Sequence, residues 1–139
     1  MRNKHWAGIS IHDGPQTSPG FQLWSGFMQW QRALNAILKP LGLTQPQFGV
    51  LAVLGWMTKD GQKVTQQDMV DFLGFDRMHV SQLASRLETD GLIHRSRSTK
   101  DQRAKEIALS AMGLALLHHA MPLVEKFDQG FFVTDLPPF

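Results

Sequence analysis

A chain of 139 residues with 42% hydrophobic content is long enough for one domain with a buried core and too apolar for intrinsic disorder. The absence of cysteine excludes disulfides and thiol redox sensing, and fits a cytoplasmic protein. The net charge is only +2, but between Leu92 and Lys105 five Lys or Arg stand against one acid, Asp101, the local excess expected of a phosphate-binding surface.

Residues 1–18 carry Gly8, Gly14 and Pro15 without helical periodicity and read as an extended arm. Arg2 and Lys4 are not followed by an apolar run, so no signal peptide is visible, and no apolar stretch is long enough to span a membrane. From Phe21 to Leu41, Trp24, Phe27, Met28, Leu34, Ile37, Leu38 and Leu41 recur at three- and four-residue spacing, predicting an amphipathic helix that stops near Pro40 and Gly42. Thr44-Gln45-Pro46-Gln47 is a capping-box pattern opening a second helix through Leu51 and Leu54. Thr65, with Asp68 three residues on, opens a third, which points Met69, Val70 and Leu73 inward and ends at Gly74. Asp76 caps a fourth, with Val80, Leu83, Ala84 and Leu87 as its buried stripe. Residues 92–97 and 104–109 read as two short strands, Ile107 and Leu109 alternating inward. Ser110 caps a last long helix from Ala111 to about Gly130, with Leu114, Leu117, Met121, Val124 and Phe127 on its apolar side and Pro122 as a kink or loosened turn. The tail Leu136-Pro137-Pro138-Phe139 cannot be helical throughout.

The fourth helix and the hairpin behind it carry the chemistry. Arginine can pair two-pronged with guanine and glutamine with adenine, and Arg77, Ser81, Gln82 and Arg86 supply such groups. Ser81, Gln82 and Ser85 share the outward arc that would face a groove floor. Arg77 and Arg86, nearer the helix ends, suit phosphate equally well. Arg95, Arg97, Lys100 and Lys105 fit phosphate contacts, with Arg95 and Arg97 on one strand face. Arg103 suits a narrow, negative minor groove, and Asp101, repelled by phosphate, would hold the hairpin loop and orient Arg103.

These residues resemble the MarR family of winged helix-turn-helix transcription regulators over roughly Leu34 to Phe132. The resemblance rests on Leu43-Thr44-Gln45-Pro46-Gln47-Phe48, Thr65-Gln66-Gln67-Asp68-Met69, Arg86-Leu87-Glu88-Thr89-Asp90-Gly91-Leu92-Ile93 and, above all, Asp101-Gln102-Arg103-Ala104, where the family's wing carries Asp-x-Arg. It implies a homodimer with interlocking first and last helices, recognition helices in successive major grooves of double-stranded DNA, and wings in the flanking minor grooves. It also implies that a small phenolic or aromatic acid can bind between the dimer helices and the DNA-binding lobe. One departure stands out: relatives usually have another helix after the region matching Phe131 and Phe132, where this chain has seven residues and two prolines. The dimer seam is therefore expected to be smaller, or completed by the N-terminal arm.

Other chemistry finds less support. Among six histidines, adjacent His118 and His119 point about 100° apart on a helix, and no pair has the i,i+4 spacing of a metal site. No Gly-rich phosphate loop, Gly-x-Ser-x-Gly elbow or HExxH motif marks an enzyme, and no cofactor is implied. The aromatic stripe Trp24, Phe27, Trp30 and Trp56 reads first as core and dimer seam. Trp24, Phe27 and Trp56, with His118 as a partner for a carboxylate, would be the effector pocket if there is one.

The expected architecture is mainly α with a small β-hairpin wing. A winged helix-turn-helix domain spans residues 19–139, with a DNA-binding lobe at about 44–110 between dimerisation helices at about 20–40 and 111–132. The expected function is a dimeric, ligand-responsive repressor on a pseudo-palindromic operator. Two other classes stay open: a winged-helix protein-interaction module without the family dimer, and a ligand-binding or metal-buffering protein.

Overall fold

The computed structural model describes residues 4–101 and 103–133. A short helix α1 (Lys4–Ala7) and a 3-10 turn (Pro15–Thr17) lead into α2 (Pro19–Leu38), which a second 3-10 turn (Lys39–Leu41) closes. Then follow α3 (Gln45–Met57), β1 (Val64–Thr65), α4 (Gln66–Leu73), α5 (Arg77–Thr89), β2 (Ile93–Arg97), β3 (Lys105–Leu109) and α6 (Ala111–Phe131). The strands form one antiparallel sheet in the order β1-β3-β2.

Local chemistry sets the helix starts. The Thr44 hydroxyl accepts the Gln47 N–H at 3.4 Å while Gln47 Oε1 accepts the Thr44 N–H at 3.0 Å. Thr65 and Asp68 make the same reciprocal pair at 3.1 and 2.9 Å. Asp76 Oδ1 accepts the His79 N–H at 2.7 Å. Gly74, at φ 70°, takes the left-handed conformation that ends α4 and turns the chain toward α5.

The core lies where α2 to α6 and the three strands meet. Leu34 and Leu38 of α2, Leu51 and Leu54 of α3, Met69 of α4, Val80, Ala84 and Leu87 of α5, Ile93, Ile107 and Ala120 are all nearly inaccessible to water. Each large side chain buried there contributes about 1.5–3 kcal/mol. At the far end, α2 and α6 are joined by the Trp30 indole donating to Asp128 Oδ1 at 2.9 Å.

The start of α6 is fixed to the end of α5. Ser110 Oγ donates to the Gly91 carbonyl at 2.6 Å and accepts the Gly113 N–H at 2.9 Å, while the Ser110 N–H donates to the Leu92 carbonyl at 3.0 Å. A Cβ on Gly113 would collide with the Leu92 carbonyl, so this close approach requires glycine.

Several expectations need correction. Residues 4–18 are not an extended arm: they form α1 and the Pro15–Thr17 turn, and the Trp6 indole donates to the His12 carbonyl at 2.8 Å, folding the segment on itself. Helix α2 begins at Pro19, since proline is pre-set for a first helical turn. Leu114 is exposed rather than on the packed side of α6. Strand β1 was not foreseen. Residues 134–139, including the Pro-Pro tail, lie outside the described residues, as does Gln102.

Candidate nucleic-acid interface

Helix α5 rises beside the hairpin so that its N-terminal half and the wing border one cleft of about 710 Å³. Arg77, Met78, Ser81 and Gln82 line it from α5, and Asp101, Arg103, Ala104 and Lys105 from the wing; Gln66, Gln67 and Val70 of α4 form its remaining wall. Ser85 and Arg86 lie outside this lining. Arg86 Nε is ion-paired with Asp90 Oδ2 at 3.1 Å, one turn on along the same helix. His79 stacks on Phe75 with ring centroids 4.5 Å apart.

The wing loop is built by one buried serine and one carboxylate. Ser98 Oγ accepts the N–H groups of Lys100 and Asp101 at 3.2 and 3.3 Å, and the Ser98 N–H donates to the Ala104 carbonyl at 2.9 Å. Asp101 Oδ1 accepts the Arg103 N–H at 3.0 Å, and the Asp101 carbonyl accepts the Ala104 N–H at 3.0 Å. The carboxylate thereby fixes the backbone from which the Arg103 side chain extends. Ser98 was not singled out from the sequence; its place just before the turn residues, where a serine hydroxyl bonds local backbone, was the available signal.

Strand register concentrates positive charge. Arg97 stands directly opposite Lys105, both exposed. Like charges facing each other across strands destabilise a sheet, so this pair suits a surface that meets a polyanion. Among the described residues no ion pair engages Arg77, Arg97, Lys100, Arg103 or Lys105.

Arg95 does something else. Expected on phosphate, it is turned inward, its side chain only 13% exposed. Its register partner is buried Ile107, so strand alternation puts it on the helix-facing side of the sheet. Its Nε and Nη2 both donate to Glu88 Oε1, at 3.3 and 3.0 Å; Nη2 also donates to Ser85 Oγ at 3.1 Å, and Nη1 to Gln66 Oε1 at 3.3 Å. The side-chain hydrogen bond from Arg95 holds the Glu88 carboxyl below its ordinary value, against desolvation that opposes it, and Coulombic attraction from Arg95 and then Lys105 adds to the lowering. Ser85, expected to face the groove, is occupied as an acceptor in this network.

Comparison with known proteins accords with the geometry. The transcriptional regulator SarA/Rot family matches residues 32–119. The HTH-type transcriptional regulator YdcH of Bacillus subtilis is 39% identical over 125 residues, 90% of this chain and 85% of its own length. The chain belongs to the MarR family of winged helix-turn-helix transcription regulators. A Bacillus cereus HTH-type regulator is 32% identical over 98 residues, and the match spans 70% of this chain and 62% of that protein. The fold is shared with Staphylococcus aureus MepR in its DNA complex, at TM-score 0.77 and 23% identity over 84% of this chain and 83% of that one. The molecule is thus a transcriptional regulator with a DNA-binding winged helix.

The four residues expected to form an effector pocket in this MarR-family chain do not converge within it. Trp56, at the end of α3, packs on Phe72 of α4 with centroids 5.7 Å apart, under the Lys59 ammonium at 4.4 Å. Trp24 meets Phe21 edge-on at 6.2 Å and is 65% exposed. His118 lies on the exposed face of α6. Of the four, Phe27 alone is in the lining of the apolar cavity, about 930 Å³, between the start of α2 and the end of α6, where Trp30, Asp128, Phe131 and Phe132 join it. The separation follows from helix placement: Trp56 points toward α4, whereas Phe27 lies on the α2 face turned to α6.

Proposed function

We propose that this regulator binds a pseudo-palindromic operator as a homodimer and acts in the cytoplasm as a repressor released by a small aromatic or phenolic ligand. The observation that carries the DNA reading is the meeting of Arg77, Ser81 and Gln82 with Arg103 and Lys105 around one cleft. Ser81 and Gln82 would read base edges in the major groove, Arg103 would enter the minor groove, and Arg77, Arg97, Lys100 and Lys105 would hold phosphates. Dimerisation is supported by the apolar residues that α2 leaves uncovered, Phe21, Leu23, Trp24, Phe27 and Met28, together with Leu123 and Phe131 of α6. A patch of that kind marks a protein contact. The ligand would enter the cavity bordered by Phe27, Trp30, Phe131 and Phe132 and alter the spacing of the two reading heads.

Five cations per protomer that no ion pair among the described residues engages, four on phosphates and Arg103 in the negative minor groove, would neutralise about ten DNA charges per dimer. The slope of log K against log salt should then be about −9, an affinity loss of ~10⁵-fold between about 50 and 200 mM salt. Fluorescence anisotropy on a selected duplex, with sedimentation to fix stoichiometry, measures both quantities. A flat salt response from a persistent monomer would sink the proposal and bring forward the interaction-module reading.

A further inference from the structure

We infer that Arg95 is a positioning residue, held by Glu88, that locks the wing to the recognition helix, and that it touches no phosphate. The inference rests on the DNA-interface reading above. Arg95 sits on β2, Ser85 and Glu88 on α5, and Gln66 opens α4, so one guanidinium ties together the wing and both helices of the helix-turn-helix. Nε, Nη1 and Nη2 all have partners inside the protein, four donations from the five guanidinium N–H groups, so turning the side chain out to a phosphate would break this network. Glu88 is the only anion in the network, and it takes two of the four bonds through a single oxygen. Without Glu88 a mostly buried cation would be left unpaired on the strand, and the strand would have to move to rehydrate it.

The distance from the lock to the tip turns a small motion into a large one. Four extended residues from Arg95 to Thr99 span about 13 Å at roughly 3.3 Å each. A tilt of about 10° at the lock moves the tip by about 2 Å. Hydrogen-bond distances tolerate only about 0.5 Å, so an unlocked wing loses its short-range groove hydrogen bonds, while its basic side chains, displaced by far less than a Debye length of about 8 Å, still neutralise the same phosphates.

The test compares Arg95→Ala, Glu88→Ala, the double variant and Arg97→Ala, using anisotropy across a salt series and hydrogen exchange on the free protein. The first three should each bind the selected duplex about 10–100-fold more weakly than wild type, with the double no worse than either single. Their salt slopes should stay at the wild-type value, whereas Arg97→Ala should reduce the magnitude by about 1.8 per dimer. Amides of β2, β3 and the intervening loop should exchange at least about tenfold faster in Arg95→Ala and Glu88→Ala, with those of α2 unchanged. If Arg95→Ala does not fold, Glu88→Ala on the helix surface carries the same comparison. A reduced slope in Arg95→Ala would make it a phosphate contact and overturn the inference. So would tighter binding by Glu88→Ala, the outcome simple charge removal predicts, or unchanged wing exchange. Failure of wild type to bind any duplex would instead overturn the DNA reading, leaving hydrogen exchange to decide the lock.

Discussion

Asp101 offers a test in which two physical accounts predict opposite signs. Its carboxylate lines the cleft proposed to meet DNA, yet it also accepts the Arg103 N–H at 3.0 Å. One exposed charge about 6 Å from a phosphate in water costs ~0.7 kcal/mol before screening, and about half of that at 0.15 M salt. Over two wings, charge removal should therefore tighten binding about threefold. Losing the loop bond works the other way: a bond of this kind contributes ~0.5–1.5 kcal/mol, or ~1–3 kcal/mol for two wings, which weakens binding about 5- to 150-fold. Asp101→Asn removes the charge and keeps an acceptor; Asp101→Ala removes both. At about 0.15 M salt the expected order of affinity is Asn, then wild type, then Ala, with Ala about 5- to 150-fold below Asn. Anisotropy titrations on one selected duplex give all three constants. Should Ala match Asn, or bind more tightly than wild type, Asp101 is a bystander charge and the hairpin is only a basic patch.

Three further outcomes are expected. Gln82→Ala should relax base preference at one position per half-site by ~1–3 kcal/mol while leaving nonspecific binding unchanged, measured by competition with single-base operator variants. Equal losses on all sequences would place Gln82 on the backbone instead. Gly113→Ala should lower stability by ~1–3 kcal/mol and the melting temperature by roughly 3–10 °C in calorimetry, because the neighbour its methyl meets is the Leu92 carbonyl, which has no free rotamer to yield. A wild-type melting temperature would show that the start of α6 can shift. Glu88 titrates below its ordinary value of 4.5 in the fold, so its contribution is complete above that pH and disappears as pH falls through the depressed value. The gap in urea midpoint between wild type and Glu88→Gln should accordingly be constant above about pH 5 and close on acidification; a gap that widens in acid contradicts this assignment.

The helices were legible in the sequence because their starts are written in short-range chemistry. Thr44 with Gln47, Thr65 with Asp68, Asp76 and Ser110 each name a boundary that needs no distant partner. Strand β1 was not legible: two residues cannot show alternation, and Thr65 also spends its side chain on the cap of α4. Its pairing, Val64 with Ile107, joins residues far apart in the chain. Within the candidate site, Arg77, Ser81, Gln82, Asp101, Arg103 and Lys105 could be placed together because one helix and one hairpin carry them all. Arg95 was misplaced because its charge outweighed its position. It shares a strand face with buried Ile93, two residues earlier, and that parity already pointed it toward the helices. The aromatic residues failed as a group for a different reason. Helical spacing says which residues share a face, and nothing about which other helix that face will meet, so Trp56 and Phe27 parted company.

The junction at Gly91, Leu92, Ser110 and Gly113 joins the exit of the recognition helix to the root of α6 without a flexible spacer. Helix α6 has 21 residues and is about 32 Å long. Swinging its far end, where Asp128 grips Trp30, through about 5° therefore carries the reading head nearly 3 Å, half the width of a minor groove. The root joint is short and closed by hydrogen bonds, so a rotation of α6 set at its α2 end would reach the winged helix as a rigid-body displacement of the same size.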